Sequence, residues 1–429
     1  MLMNELLGTQ EKIYTCIDLK SFYASVECVE RGLDPFKTNL VVADPDRGRG
    51  AICLAVSPAL KALGVRNRCR IFEIPSRFKY ITAVPRMKLY MDYSAAIYNT
   101  YLEYLSAKDI HVYSIDECFI YLSPYLLLYK MPPKALVQLL TQRVFAKFGI
   151  CATAGIGSNM FLAKVALDIL AKHQPDHMAF LDEDLFKEKM WHHMPITDFW
   201  NIGKGTAKRL AHRGIYDLYG VAHCEPAKLY KEFGINAEYL IDHAWGRETC
   251  TLEDLRHYQP KSHSISNSQI LFEDYGFEDA LIVLLEMVEF LSLKLVETQM
   301  LCHSFSLSIR YSKDCVPPTG GLRRLPQATD SFEVLEQFFQ ELFVATTHRH
   351  VPIRQICVTA DDLLWLGRAE QSLFSAYAVD ELRDRDIQQA LLDVKAKYGK
   401  NALLRGRSYR PKATGRLRNK LIGGHNSGC

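Results

Sequence analysis

The sequence predicts an α+β protein of several domains, and three observations carry that prediction. The chain of 429 residues is 48% apolar and 24% charged, ordinary for folded soluble protein, and at that length roughly two to four domains are expected. Its first half mixes short apolar runs of strand length with helical periodicities, joined by Gly/Pro/Asp loops. Its later part reads strand, helix, strand, helix, strand. There Phe305, Leu307, Ile309 and Tyr311 alternate with Ser304, Ser306, Ser308 and Arg310, as in a sheet with one polar face.

Lys12 to Asp18 forms the first expected strand, and the spacing from Leu19 to Glu27 suits a helix behind it. Leu40–Ala43 and Ala51–Val56 are further short strands, and Pro58 opens a helix that carries Lys61 one turn on. Met87 to Leu105 has helical periodicity and five tyrosines (Tyr90, Tyr93, Tyr98, Tyr101, Tyr104), which a core-facing helix explains without chemistry. Val112 to Ile120 reads as a buried strand or tight hairpin, followed by a helix from Pro133 to Phe148. Ala152 to Asn159 suggests a strand ending in a Gly turn, with Lys164 in the helix Phe161–Ala171, an arrangement that could face a phosphate. Phe199 to Leu210 reads as helix, Gly-x-Gly hairpin, helix: backbone N–H groups at Gly203 and Gly205 with Lys204, Lys208 and Arg209 suit a nucleic-acid backbone, although a Gly-rich turn between helices is a rival. A polar stretch near Gln259 suggests a linker, and Leu281 to Leu295, Phe332 to Thr346 and Asp380 to Tyr398 are helices.

Net charge is only +3, yet from Asn401 to Cys429 there are seven Lys/Arg and no Asp or Glu, a solvated end or one that suits a polyanion. Twelve cysteines without a Cys-x-x-Cys pair or zinc-finger spacing, and no secretory leader, point to free thiols in a reduced, cytoplasmic compartment. The most apolar run, Ala280 to Val296, contains Glu286, Glu289 and Lys294, so no membrane span is expected.

The chemistry centres on acids. Asp116 and Glu117 are adjacent carboxylates between apolar positions, costly to desolvate unless a cation sits between them. Alone they read better as an acidic turn on a sheet edge, and Asp18 alone reads better as a helix cap.

Taken together, Asp18-x-x-x-Phe22-Tyr23-Ala24-Ser25-Val26-Glu27, Ser114-Ile115-Asp116-Glu117-x-Phe119, Gly155-Ile156-Gly157-x-Asn159-x-x-x-Ala163-Lys164 and the Gly203/Gly205 hairpin resemble a Y-family translesion DNA polymerase. The resemblance runs from about residue 12 to 362 and is greatest to the UmuC-like branch of Gram-positive bacteria, their plasmids and phages (the UvrX type). It implies a right hand: palm at 1–22 and 86–175, fingers at 23–85, a helical thumb with the helix-hairpin-helix at 176–256, a little finger at 257–365, and a tail at 366–429. Asp18, Asp116 and Glu117 are the implied catalytic carboxylates. With the Leu19 carbonyl they are the implied ligands of two Mg²⁺, Mn²⁺ being able to substitute. Lys61 and Lys164 match positions that contact the incoming triphosphate, Tyr23 the steric gate against a ribose 2′-hydroxyl, and Phe22 and Ser57 the same pocket.

Ile202, Gly203, Lys204, Gly205, Lys208, Arg310 and Lys313 are the implied DNA contacts. Glu370 to Phe374, with Gln371, Leu373 and Phe374, resembles a sliding-clamp-binding peptide that begins with Glu instead of Gln. The implied partners are primer-template DNA, dNTP, a sliding clamp, and a recombinase filament or UmuD-like accessory. Two departures stand out: Lys20, where relatives carry an acid or Asn, and Tyr121, at a place often held by Asp. The expected function is error-prone, template-directed synthesis across damaged bases in the SOS response. The alternatives are a DNA-binding accessory protein with weak or partner-dependent polymerase activity and a palm-fold nucleotidyl cyclase, which has no use for the hairpin.

Overall fold

The computed structural model describes residues 12–260, 263–312, 316–368 and 378–428. They fall into two α+β units, Met1–Tyr258 with Asn426–Cys429, and Gln259–His425. The first unit begins β1 (Tyr14–Leu19), α1 (Phe22–Val29), β2 (Leu40–Val42), β3 (Ala55–Val56), α2 (Pro58–Ala62), β4 (Ile81–Ala83) and α3 (Met87–Leu102). It continues with β5 (Ile110–Val112), β6 (Glu117–Tyr121), α4 (Ser123–Tyr129), α5 (Pro133–Phe148), β7 (Ala152–Gly157), α6 (Met160–Val165) and β8 (Met178–Leu181). Six helices follow: α7 (Glu183–Met190), α8 (Lys204–Ala211), α9 (Leu218–Ala222), α10 (Pro226–Phe233), α11 (Asn236–Ala244) and α12 (Leu252–His257).

Every residue of β1 is buried except half-buried Asp18, the pattern of a strand covered on both faces. It lies at the centre of the sheet β5-β6-β1-β7-β8, antiparallel to β6 and to β7. The Val112–Ile120 stretch is the β5/β6 hairpin, with Tyr113–Asp116 as its turn. A smaller sheet, β3-β2-β4, packs its own core around Val41, Val56 and Leu60.

Gly155 and Gly157 act differently from the sequence expectation of a phosphate-facing Gly turn. Both lie within β7, where a Cβ on Gly155 would come 2.0 Å from the Ala163 carbonyl oxygen, and one on Gly157 would come 2.5 Å from the Ala163 nitrogen. Their bareness lets α6 lie directly on the sheet. Asn159 caps that helix, accepting from the Leu162 N–H at 2.8 Å. Past Val165 the expected straight helix becomes a π turn, Ala166–Leu170. The helix expected ahead of the Gly203 hairpin is a single 3₁₀ turn, Ile196–Asp198, because Asn201 takes a left-handed conformation (φ 67°) that breaks the run.

The second unit runs β9 (Ile265–Tyr275), α13 (Phe277–Glu297), β10 (Met300–Tyr311), β11 (Thr319–Thr329), α14 (Phe332–Thr346), β12 (Ile353–Trp365), α15 (Ala378–Tyr398) and α16 (Gly415–Arg418). Its antiparallel sheet has the order β11-β10-β12-β9. Phe305, Leu307 and Ile309 are buried in one core with Leu284, Val288 and Leu291 of α13 and Phe339 and Phe343 of α14.

The C-terminal stretch departs from the expected tail. From α15 onward it packs on the acids of α13 and α14: buried Glu289 faces Lys395 at 3.5 Å and Arg405 at 3.6 Å. Glu286 accepts the N–H groups of Thr414 and Gly415 at 2.8 Å each, and Ser292 donates to Gln388 at 2.6 Å. Arg405, Arg407, Lys412 and Arg418, four of the seven basic residues past Asn401, are engaged within the unit, by Glu289, Glu336, Glu273 and Asn267. A local count of charge could not show this, because the partner acids lie up to 139 positions earlier. Among the described residues every cysteine is a free thiol, and no helix is long and apolar enough to cross a membrane.

Candidate active site

Asp18 sits directly across from Glu117 on one side and Thr153 on the other. The hairpin turn supplies Asp116: the Leu19 N–H donates to the Asp116 carbonyl at 2.9 Å, and the Ser114 hydroxyl donates to the Asp116 carboxylate at 2.7 Å. One strand pairing and one turn thus set acids that lie far apart in sequence in neighbouring positions. Burial, with the charges of Asp116 and Glu117, pushes the Asp18 carboxyl from 3.8 up to about 7.

Lysines surround these acids. Because α6 lies flush on the sheet, Lys164 is buried with its ammonium 2.5 Å from Glu117 Oε1 and 3.0 Å from Asp168. The Cys16 thiol donates to the same Glu117 oxygen at 3.0 Å; burial foremost, with Glu117, holds that thiol well above its ordinary value, so it stays protonated. Burial opposes the charge on Lys164, but the carboxylates of Asp168 and Glu117 beside it outweigh burial and raise its pKa. Lys172 reaches Asp168 at 3.2 Å. Lys61 feels the fields of Asp18, Lys172, Lys20 and Asp116, and burial lowers its pKa.

The donor set is all hard oxygen, and the raised Asp18 pKa reports negative charge that a cation would relieve, so the chemistry fits Mg²⁺. Among the described residues, however, no three acidic, His or Cys side chains are gathered around one point as an ion would require. Glu117 is turned to Lys164 and Cys16.

Tyr23 is half-buried, its ring stacked on that of Tyr90 with centroids 4.6 Å apart. Its hydroxyl is raised by burial, with Asp116 adding to the effect. Phe22 faces the core, 2% exposed. The Ser57 hydroxyl is committed locally: it donates to the Thr38 carbonyl at 2.7 Å and accepts from the N–H of Leu40 and Leu60. Ile202 is buried, whereas Gly203, Lys204, Gly205 and Lys208 are exposed. Neither glycine has a positive φ, and a Cβ on either would meet nothing within 4 Å, so what they leave bare is an outer surface. Arg310 is exposed on β10, in register with Gln355. Lys313, Gln371, Leu373 and Phe374 lie outside the described residues.

The two departures are also placed. Lys20 is held by His177, 3.1 Å from Nε2. Tyr121 stands opposite Tyr14, four residues along β1 from Asp18, or roughly 13 Å at strand spacing. Sequence reasoning missed Asp168, Lys172 and Cys16. The first two were readable, since Lys164, Asp168 and Lys172 are spaced i, i+4, i+8.

A sheet that sets Asp18, Asp116 and Glu117 in neighbouring positions, with Lys164 on Glu117, suits metal-assisted transfer of a phosphoryl or nucleotidyl group. The impB/mucB/samB family profile matches residues 17–168, and the profile of that family's C-terminal domain matches residues 262–373. UvrX of Bacillus subtilis (strain 168), a protein named for UV-damage repair, is 31% identical over 421 residues, covering 96% of this chain and 97% of UvrX. "DNA polymerase IV 2" of the same organism is 28% identical over 428 residues, covering 97% of this chain and 99% of that protein. Among solved structures, a Y-family DNA polymerase chimera superposes with a TM-score of 0.61 at 19% identity, covering 82% of this chain and 99% of the chimera. The chain belongs to the impB/mucB/samB family, that of the UmuC-like, Y-family DNA polymerases.

Proposed function

We propose that the protein is a template-directed DNA polymerase that copies past damaged bases during the SOS response, transferring a nucleotidyl group from a dNTP to a primer 3′-hydroxyl. The observation that carries this reading is the pairing of Asp18 with Glu117 across β1 and β6, with Asp116 in the adjoining turn and Lys164 on Glu117. Asp18, Asp116, Glu117 and the Leu19 carbonyl would hold two Mg²⁺, which when bound make the 3′-hydroxyl a better nucleophile and stabilise the leaving oxygen. Lys164 and Lys61 would neutralise the triphosphate, a role that fixed cations in a water-poor site perform well. The Lys164–Glu117 pair keeps both side chains at the site. Tyr23 would exclude a ribose 2′-hydroxyl.

The palm, fingers, thumb and little finger fall, in this reading, at 1–22 with 86–175, 23–85, 176–256 and 257–365. Lys204, Lys208 and the bare hairpin glycines would hold DNA phosphates, as would Arg310 on the open sheet face. A sliding clamp would dock at 370–374, with a recombinase filament or a UmuD-like accessory as further partners. Primer extension with Mg²⁺ and dNTPs, on plain and lesion-bearing templates, tests the proposal. Extension on both supports it; no extension even with clamp and recombinase filament present would overturn it.

A further inference from the structure

Sequence periodicity assigns Tyr90 nothing more than a place in the core, and packing alone would be served by Leu or Phe. Its surroundings are more specific than that. Tyr90 is fully buried, one face lies nearly parallel to the Tyr23 ring (4.6 Å between centroids, 20° between planes), and its hydroxyl donates to Glu27 Oε1 at 2.7 Å. Glu27 is also fully buried. Arg86 holds it through two bonds of 2.9 Å, Nε to Oε1 and an Nη to Oε2, and Arg31 binds it from the turn that follows α1. Tyr23 and Glu27 are four residues apart on α1, so they share a face, and Tyr90 from α3 touches both.

A carboxylate buried between two helices, even with the half-exposed Arg86 as its partner, is an expensive way to join them, since an apolar contact of equal volume is commonly as stable or more so. What it adds is geometry, because a two-bond Arg–carboxylate pair fixes orientation and distance. A steric gate needs that fixity. It works by collision, and an error of roughly 1 Å in the position of a working group can cost about a hundredfold. A ring free to swing would let a 2′-hydroxyl past.

We propose that Tyr90 is a positioning residue for sugar selection: tethered to Glu27 and Arg86, its ring is the platform that keeps Tyr23 in the path of a ribose 2′-hydroxyl. This rests on the reading of Tyr23 as the gate. The hydroxyl–Glu27–Arg86 tether sets the rotation of the Tyr90 ring, and the ring face sets that of Tyr23.

The test compares kcat/KM for a dNTP and its matching rNTP in wild type, Tyr90→Phe, Tyr90→Leu and Tyr23→Ala. Tyr90→Phe keeps the ring and loses the tether, so the dNTP/rNTP ratio should fall roughly two- to fivefold; Tyr90→Leu loses both and should fall about tenfold or more, the scale of one or two such contacts. The loss should come from faster rNTP insertion, with dNTP kcat within about twofold of wild type, which general structural damage would not produce. Tyr90→Phe conserves volume, so it gives a reading even if Tyr90→Leu fails to fold. A wild-type ratio in Tyr90→Phe and Tyr90→Leu, or a ratio that falls only because dNTP insertion slows, overturns the proposal. An unchanged ratio in Tyr23→Ala would instead remove the gate, and a wild type that extends nothing would remove the polymerase reading.

Discussion

Asp18→Asn should make the metal-free protein more stable while ending catalysis. The Asp18 carboxyl titrates at 3.8 unfolded and about 7 folded, because burial and then Asp116 and Glu117 disfavour its charge. Between those values the folded state holds a proton the unfolded state has lost, so stability falls as pH rises. The full cost is present above about pH 7 and absent below about pH 4. A displacement of that size corresponds to at most about 4 kcal/mol. Water access at a half-buried side chain reduces it to about 2–3 kcal/mol, worth roughly 4–10 °C in melting temperature. Asn keeps the shape and removes the charge. Thermal unfolding in chelator should therefore show Asp18→Asn melting higher than wild type near pH 8, with the gap closing near about pH 4.5, where wild-type Asp18 is protonated in the folded state. Adding Mg²⁺ near neutral pH should also narrow the gap, since a bound cation relieves the same charge. No gain in chelator at high pH, or a gain equal at both pH values, would refute the idea that burial and the neighbouring carboxylates disfavour the charge on Asp18.

Gly155→Ala places a methyl 2.0 Å from the Ala163 carbonyl oxygen and should cost about 3 kcal/mol or more, read as a large drop in melting temperature or insoluble expression. Lys204→Ala with Lys208→Ala should weaken binding to all DNA sequences alike and flatten the salt dependence of affinity by about two in log–log slope. Truncation after Arg368 should destabilise the second unit, because Glu286 and Glu289 would lose Thr414, Gly415, Lys395 and Arg405; proteolysis and melting of the truncated chain report it.

What could be read from the sequence follows the range of the forces involved. Alternation around Asp116 and Glu117 is a period-two signal, and it marked the β5/β6 hairpin correctly. The apolar faces of α13 and β10 were equally plain, since both elements meet a single core. The glycines of β7 are visible in the sequence, but their task is not. Whether a glycine serves a turn or a close approach depends on what packs above it, and here that is a helix eight residues further along. The basic stretch after Asn401 is illegible for a related reason: a local count of charge does not reach the acids that pair with it, Glu273 on β9, Glu289 on α13 and Glu336 on α14, which lie 71 to 139 residues before their partners. Lys164 was found through family resemblance, but its partner Asp168 was within reach of helical spacing alone. Tyr90 could not be separated from the other tyrosines of its helix by periodicity, because what sets it apart is Tyr23 and Glu27 on another helix.

The central claim is that Asp18, Asp116 and Glu117 perform nucleotidyl transfer. It is tested most directly by single-turnover incorporation of one dNTP, with primer-template affinity measured on the same preparations, for wild type, Asp116→Asn and Glu117→Gln. Either substitution should slow incorporation by about a thousandfold or more, with DNA affinity kept within about threefold. Incorporation at near wild-type rate in either variant would contradict it.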